Sequence, residues 1–122
     1  CQEFEEKLPE TAVCVPVLAP TYLSERLLST GIMETGLEAP STEQSLIVLS
    51  QLGPILITGC SHPGIVEIAK KAVALTGETL FLTLGGFHLY KATDEEIVET
   101  AKELMRYTQY AAPCHCTGDR GI

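Results

Sequence analysis

Three histidines, His62, His88 and His115, are the residues in this chain best suited to chemistry, and they recur at intervals of 26 and 27 residues. Neutral imidazole is a ligand for Zn, Fe and Mn and a general acid or base near pH 7. Glycines surround each of them. Gly59 and Gly64 bracket His62, Gly85 and Gly86 precede His88, and Gly118 follows His115. Two glycines directly after a buried strand cost chain entropy without an obvious turn to build, which points to close backbone approach at that edge. Cys60 precedes His62 by two residues and reads three ways: metal ligand, nucleophile, or small buried hydrophobe. A position just before a helix N-terminus would favour its thiolate. Cys114-His115-Cys116 is too tight for a structural zinc knuckle, which needs two pairs at wider spacing. On a strand-like backbone His115 would face the site, with both cysteines turned the other way.

The elements that must position these residues are legible in the second part of the chain. Residues 45–50 (Ser-Leu-Ile-Val-Leu-Ser) and 54–58 (Pro-Ile-Leu-Ile-Thr) are apolar, β-rich runs joined by Gln51-Leu52-Gly53, which predicts a hairpin. An apolar stripe, Ile65, Ile68, Ala69, Ala72, Val73 and Leu75, follows and predicts a helix closed by Gly77, with Ser61 as N-cap and Pro63 in the first turn. Residues 79–84 form a further strand. Thr93-Asp94-Glu95-Glu96 has capping-box spacing ahead of a second helical stripe through Met105, and residues 109–113 form a last strand leading into His115. The runs are continuous rather than alternating, as in strands buried on both faces. Strand, helix, strand, helix, strand is a βαβαβ path with parallel strands, whose carboxyl edge is where ligands bind. All three histidines fall just beyond a predicted strand at that edge. Earlier in the chain, residues 11–17 predict a short edge strand broken by Pro16 and Pro20, residues 26–33 a second strand, and residues 34–42 an exposed loop.

Composition narrows the function classes. The chain has 122 residues, 45% hydrophobic and 20% charged, the profile of a folded domain. A net charge of −8 with eight scattered Lys and Arg argues against a nucleic-acid partner. No apolar run has the ~20 residues of a membrane span. Residues 1–10 carry four glutamates where a signal peptide would be basic and then apolar. Five irregularly spaced cysteines point to a reducing, cytoplasmic compartment rather than a disulfide scaffold. The chain opens on Cys1 rather than Met and is expected to be a piece of something larger.

Three ordered motifs carry a resemblance: Gly-Pro-Ile-Leu-Ile-Thr-Gly-Cys-Ser-His-Pro-Gly-Ile from Gly53, Leu-Gly-Gly-Phe-His-Leu from Leu84, and Pro-Cys-His-Cys-Thr-Gly from Pro113. Together they resemble the C-terminal half of the metallo-β-lactamase-fold hydrolases, in particular the dihydropterin-ribofuranosyl-aminobenzene phosphate synthase-like subgroup. The resemblance covers residues 43–118 as that half of the fold, with residues 1–42 a poorly defined N-terminal segment. It implies part of an α/β, four-layered αββα sandwich with a one- or two-metal site, zinc in the first instance, or Mn or Fe. It further implies that His62 and His115 are metal ligands and that His88, on the Gly-Gly-Phe-His loop, is the catalytic candidate beside them. Metal-activated water would then attack a phosphoester or a related ester or amide of a small molecule. The family's His-x-His-x-Asp-His motif has no counterpart, since no His precedes His62, and Cys60 stands where many members carry a Gly-Asp pair. Two rivals follow: a non-catalytic fragment or subunit that packs on a partner half or on itself, and a thiol-dependent enzyme using Cys60. An uncovered sheet face would favour self-association.

Overall fold

A computed structural model of the protein describes residue 9 and residues 11–122, so most of the acidic stretch at residues 1–10 lies outside the described residues. Among the described residues, eight strands and two α-helices follow in order: β1 (Thr21–Ser24), β2 (Leu27–Ser29), β3 (Met33–Glu34), β4 (Thr42–Glu43), β5 (Leu46–Ser50), β6 (Gly53–Ile57), α1 (Ile65–Thr76), β7 (Leu80–Gly86), α2 (Asp94–Leu104) and β8 (Thr108–Cys114). Six of the strands make one sheet in the order β1-β2-β5-β6-β7-β8, and β3 and β4 pair separately.

The predicted hairpin is β5 and β6, antiparallel from Leu46↔Ile57 to Ser50↔Gly53, with Gly53 at φ +119° after the turn. From there the chain follows the predicted βαβαβ path. β6 pairs in parallel with β7 and β7 with β8, so the carboxyl ends of all three lie at one edge. Helix α1 ends where expected, on Gly77 in the left-handed conformation, its N–H donating to the Val73 carbonyl. Helix α2 begins with a complete capping box between Thr93 and Glu96.

Four local expectations are corrected. Residues 11–17 form no strand: Val13 is 84% exposed and Val15 70%, and Pro16 has no N–H to offer a ladder. The strand over 26–33 divides into β2 and β3 because the chain turns at Gly31, at φ +66°, where a Cβ would come within 2.4 Å of the Ala19 carbonyl carbon. Ser61 is not the N-cap of α1. Gly64 holds that position without a side-chain cap, and Pro63 lies in the turn before it. The Ser61 hydroxyl instead donates to the Gly86 carbonyl at 2.6 Å. Finally, β7 does not stop before Gly85-Gly86 but runs through both.

The core lies on one side of the sheet. Ile47 and Leu56 face each other across β5 and β6 and pack with Ile65, Ile68, Ala69 and Ala72 of α1 and Leu104 of α2. Burial of the leucine and isoleucine side chains among these contributes about 1.5–3 kcal/mol each. The register places different rows on the opposite face: Leu46, Ile57, Leu84 and Ala112 in one, Val48, Ile55, Leu82 and Tyr110 in the next. None of these eight belongs to the buried cluster or packs against it. The sheet therefore has a covered face and an apolar open one among the described residues.

Candidate metal centre

Each parallel strand hands the chain to a loop with the same peculiarity. Ser61 after β6, His88 after β7 and His115 after β8 have φ of +61°, +54° and +51°. A non-glycine residue in this region is uncommon and costs on the order of 1–3 kcal/mol unless its surroundings hold it there. Here they do. The Gly86 N–H donates to the Gly59 carbonyl at 2.9 Å, and the Phe87 N–H donates to Thr117 Oγ1 at 3.0 Å, tying the three loops together. Strain gathered at the carboxyl edge of parallel strands marks a built site.

The two glycines make the close approach possible. A Cβ on Gly85, at φ +131°, would lie 2.4 Å from the Thr58 carbonyl oxygen. One on Gly86 would lie 2.6 Å from Cys116 Sγ and 3.2 Å from His115 Cδ2. The space a side chain would fill at residue 86 is occupied by a sulfur and an imidazole.

The predicted residues fall into two groups. In the first, Glu43 at the end of β4 accepts from the Ser61 N–H at 2.8 Å through Oε1 and from the His62 N–H at 3.0 Å through Oε2. Its Oε2 also lies 2.8 Å from His62 Nδ1. An ionised carboxylate only accepts, so Nδ1 is the donor in this contact and Nε2 is the ring nitrogen left for another partner. Burial pushes the Glu43 carboxyl up, but the hydrogen bonds from the His62 and Ser61 backbone and the imidazole outweigh it and hold the carboxyl below its ordinary value. The His88 ring packs against His62 with centroids 4.6 Å apart. Burial first, then the neighbouring His62, pushes the His88 imidazole below its ordinary value, which favours the neutral ring. A cleft of about 230 Å³ opens beside the pair, lined by Ser61, Ile65, Val66 and Phe87 as well as the two histidines.

The second group forms around His115. Its Nε2 lies 3.2 Å from Cys60 Sγ, and the donor atoms of Cys60, His115 and Cys116 all lie within 4.8 Å of one another. The expectation that both cysteines turn away from His115 is corrected. Strand β8 ends at Cys114, and residues His115–Thr117 form a 3-10 turn that brings Cys116 round to the same side as His115, leaving Cys114 exposed. The macrodipole argument for Cys60 also fails, because α1 begins five residues later, at Ile65. Burial, then the adjacent Cys116 thiol and the Glu43 charge, push the Cys60 thiol up rather than down.

All three histidines thus sit at the predicted edge. His62 is brought to His88, and His115 to the two cysteines. The sequence reading missed Glu43, which stands 19 positions before His62 in a two-residue strand, with no local spacing to announce it. Imidazole and thiol donors converging on a space kept open by Gly86 fit a divalent ion of the zinc type.

No protein-family model matches the chain. It is 40% identical over 78 residues to the 7,8-dihydropterin-6-methyl-4-(beta-D-ribofuranosyl)-aminobenzene-5'-phosphate synthase of Methanocaldococcus jannaschii, a match covering 62% of this chain and 26% of that protein. An uncharacterized protein of the same organism is 38% identical over 71 residues, covering 56% of this chain and 26% of its own. Among solved structures, a metal-dependent hydrolase of the beta-lactamase superfamily superimposes with a TM-score of 0.73 at 28% identity, covering 89% of this chain and 48% of the other. The chain spans about a quarter of the curated relatives it matches and about half of the structural neighbour. Its mixed α/β fold is that of part of a metallo-β-lactamase-type hydrolase, consistent with the C-terminal half. No helix among the described residues is long and apolar enough to cross a membrane.

Proposed function

We propose that this chain, carrying one half of a metallo-β-lactamase-type fold, contributes His62 and His115 as ligands to a divalent metal in a hydrolase acting on a phosphoester or related ester or amide of a small molecule. The observation that carries this reading is the delivery of all three histidines to one edge by β6, β7 and β8, with His62 fixed so that Nε2 is free. A bound ion, zinc by the donor set, with manganese or iron as alternatives, would lower the pKa of a water and polarise a phosphoryl or carbonyl oxygen. The chain's own residues do the rest. Glu43 sets the tautomer of His62, the arrangement by which carboxylates orient metal-binding imidazoles. His88, favoured in its neutral form beside the cleft, is the proton-transfer group.

The surroundings of Cys60 give the thiol-enzyme rival less support, although His115 Nε2 lies 3.2 Å from its sulfur. A nucleophilic cysteine needs a depressed pKa, and the Cys60 thiol is pushed up. The open apolar face supports a partner: a second sheet, supplied by the other half of the fold, would cover the rows of Leu46 and Val48.

The test uses the longer protein with its other half present. His62→Ala and His115→Ala should each lower metal stoichiometry and phosphodiester hydrolysis together, and His88→Ala should lower hydrolysis with metal content kept. Full activity in His115→Ala would overturn the assignment.

A further inference from the structure

We propose that Cys60, His115 and Cys116 form a thiolate–imidazole site for one borderline-soft divalent ion, zinc or cobalt rather than magnesium or calcium. The proposal deepens the hydrolase reading by sharing His115 with it, but it requires no hydrolysis.

Three independent observations carry it. The first is donor geometry. Zinc bonds of about 2.3 Å to sulfur and 2.0–2.1 Å to nitrogen, arranged tetrahedrally, place donor atoms roughly 3.5–3.8 Å apart. Cys60 Sγ and His115 Nε2 are already 3.2 Å apart, and the whole trio lies within 4.8 Å, so shifts of about an ångström or less close the site. The second is room made by the sequence elsewhere. Gly86 contributes no side chain, and a Cβ there would strike Cys116 Sγ at 2.6 Å, so β7 is built around that sulfur. The third is backbone: His115 is held at φ +51°, and the turn it begins brings Cys116 back toward β6, with Cys116 Sγ 3.3 Å from the Cys60 carbonyl.

The chemistry follows from the donor set. Two sulfurs and one imidazole select zinc-like ions over hard, oxygen-seeking ones. Both cysteines are thiols in the free protein. Binding therefore exchanges two S–H protons for two metal–sulfur bonds, with both protons released to solvent and no change of oxidation state. Three protein ligands would leave a fourth position for water or another donor, and His115 is the exposed member of the trio.

The experiment titrates the reduced 122-residue chain with Co²⁺ and follows thiolate-to-cobalt charge-transfer absorption in the near ultraviolet, with Zn²⁺ competition giving the affinity. One equivalent should saturate the band, Zn²⁺ should abolish it, and Mg²⁺ should leave it unchanged. Cys60→Ser and Cys116→Ser should each lose most of the band and weaken Zn²⁺ binding about 100-fold or more, with far-ultraviolet circular dichroism unchanged. Cys114→Ser, whose sulfur lies outside the cluster, should retain both. A folded wild-type chain without the band, or a band that survives Cys60→Ser with Cys116→Ser, overturns the proposal while leaving the hydrolase reading standing. In the converse case, a normal thiolate band in a longer protein whose hydrolysis survives both His62→Ala and His115→Ala, the hydrolase reading falls and the thiolate site stands.

Discussion

The Glu43 carboxylate meets His62 twice, 3.0 Å from its backbone N–H and 2.8 Å from its ring Nδ1, so one side chain fixes both the path of the loop and the orientation of the imidazole. With the Ser61 N–H also donating to it, Glu43 satisfies two adjacent backbone donors that α1 does not reach.

Removing that carboxylate should therefore act on structure and on the ring together. Glu43→Ala leaves three donors in a largely buried corner without their acceptor and should destabilise the protein by about 1–3 kcal/mol, read from denaturant midpoints. The same variant should shift the ¹⁵N signals of His62 toward a mixture of tautomers. An unchanged His62 spectrum would mean that Glu43 does not set the tautomer.

Acid should weaken the fold through the same group. Because the folded Glu43 pKa lies below its ordinary value of 4.5, the contribution is complete above that value and is lost as pH falls through the folded pKa. Urea unfolding measured from neutral pH downward should show a loss of stability setting in below the ordinary carboxylate range. Glu43→Gln, which cannot titrate, should flatten that loss, and a parallel pH profile in the variant would contradict the assignment.

Gly85→Ala should be among the most damaging small substitutions in the chain. Its Cβ would meet Thr58 Oγ1 and carbonyl oxygen at 2.4 Å, on a backbone at φ +131° that L residues seldom adopt. Backbone, not a flexible side-chain end, would have to move, and a loss of about 1–3 kcal/mol or more in thermal or urea unfolding is expected. Gly77→Ala, also at positive φ but with nothing within 4 Å of its Cβ, should cost less.

The open sheet face should make the isolated chain self-associate. Ile55 and Leu82 are adjacent on it and half-buried, and apolar patches of this extent are seldom left free. Sedimentation should show concentration-dependent oligomers that Ile55→Lys with Leu82→Lys reduces to a monomer of 13.2 kDa. A wild-type chain monomeric at all concentrations would count against the face as a docking surface.

Much of the frame was legible in the order of residues, because its signals act over one turn of chain. The stripe from Ile65 ending on Gly77, the capping box at Thr93 and the hairpin turn before Gly53 are each closed by hydrogen bonds between near neighbours, and each stands as read. The parallel path from β6 to β8 follows from them, and it brings His62, His88 and His115 to one edge. Signals without local closure misled. Residues 11–17 have β-type composition but no strand beside them, and Ser61 has the chemistry of a helix cap but spends its hydroxyl on Gly86, 25 residues away.

What only the tertiary structure decided is which side chains face one another across long separations. Glu43 reaches His62 because the two-stranded β3–β4 ribbon ends beside the β6 loop, and Cys60 reaches His115, 55 residues on, because β7 between them carries glycine where any other residue would push them apart. Distances of this kind depend on register, close backbone approach and left-handed turns summed over the whole sheet. Residue types constrain each of those singly, and only the packed fold brings them into one place.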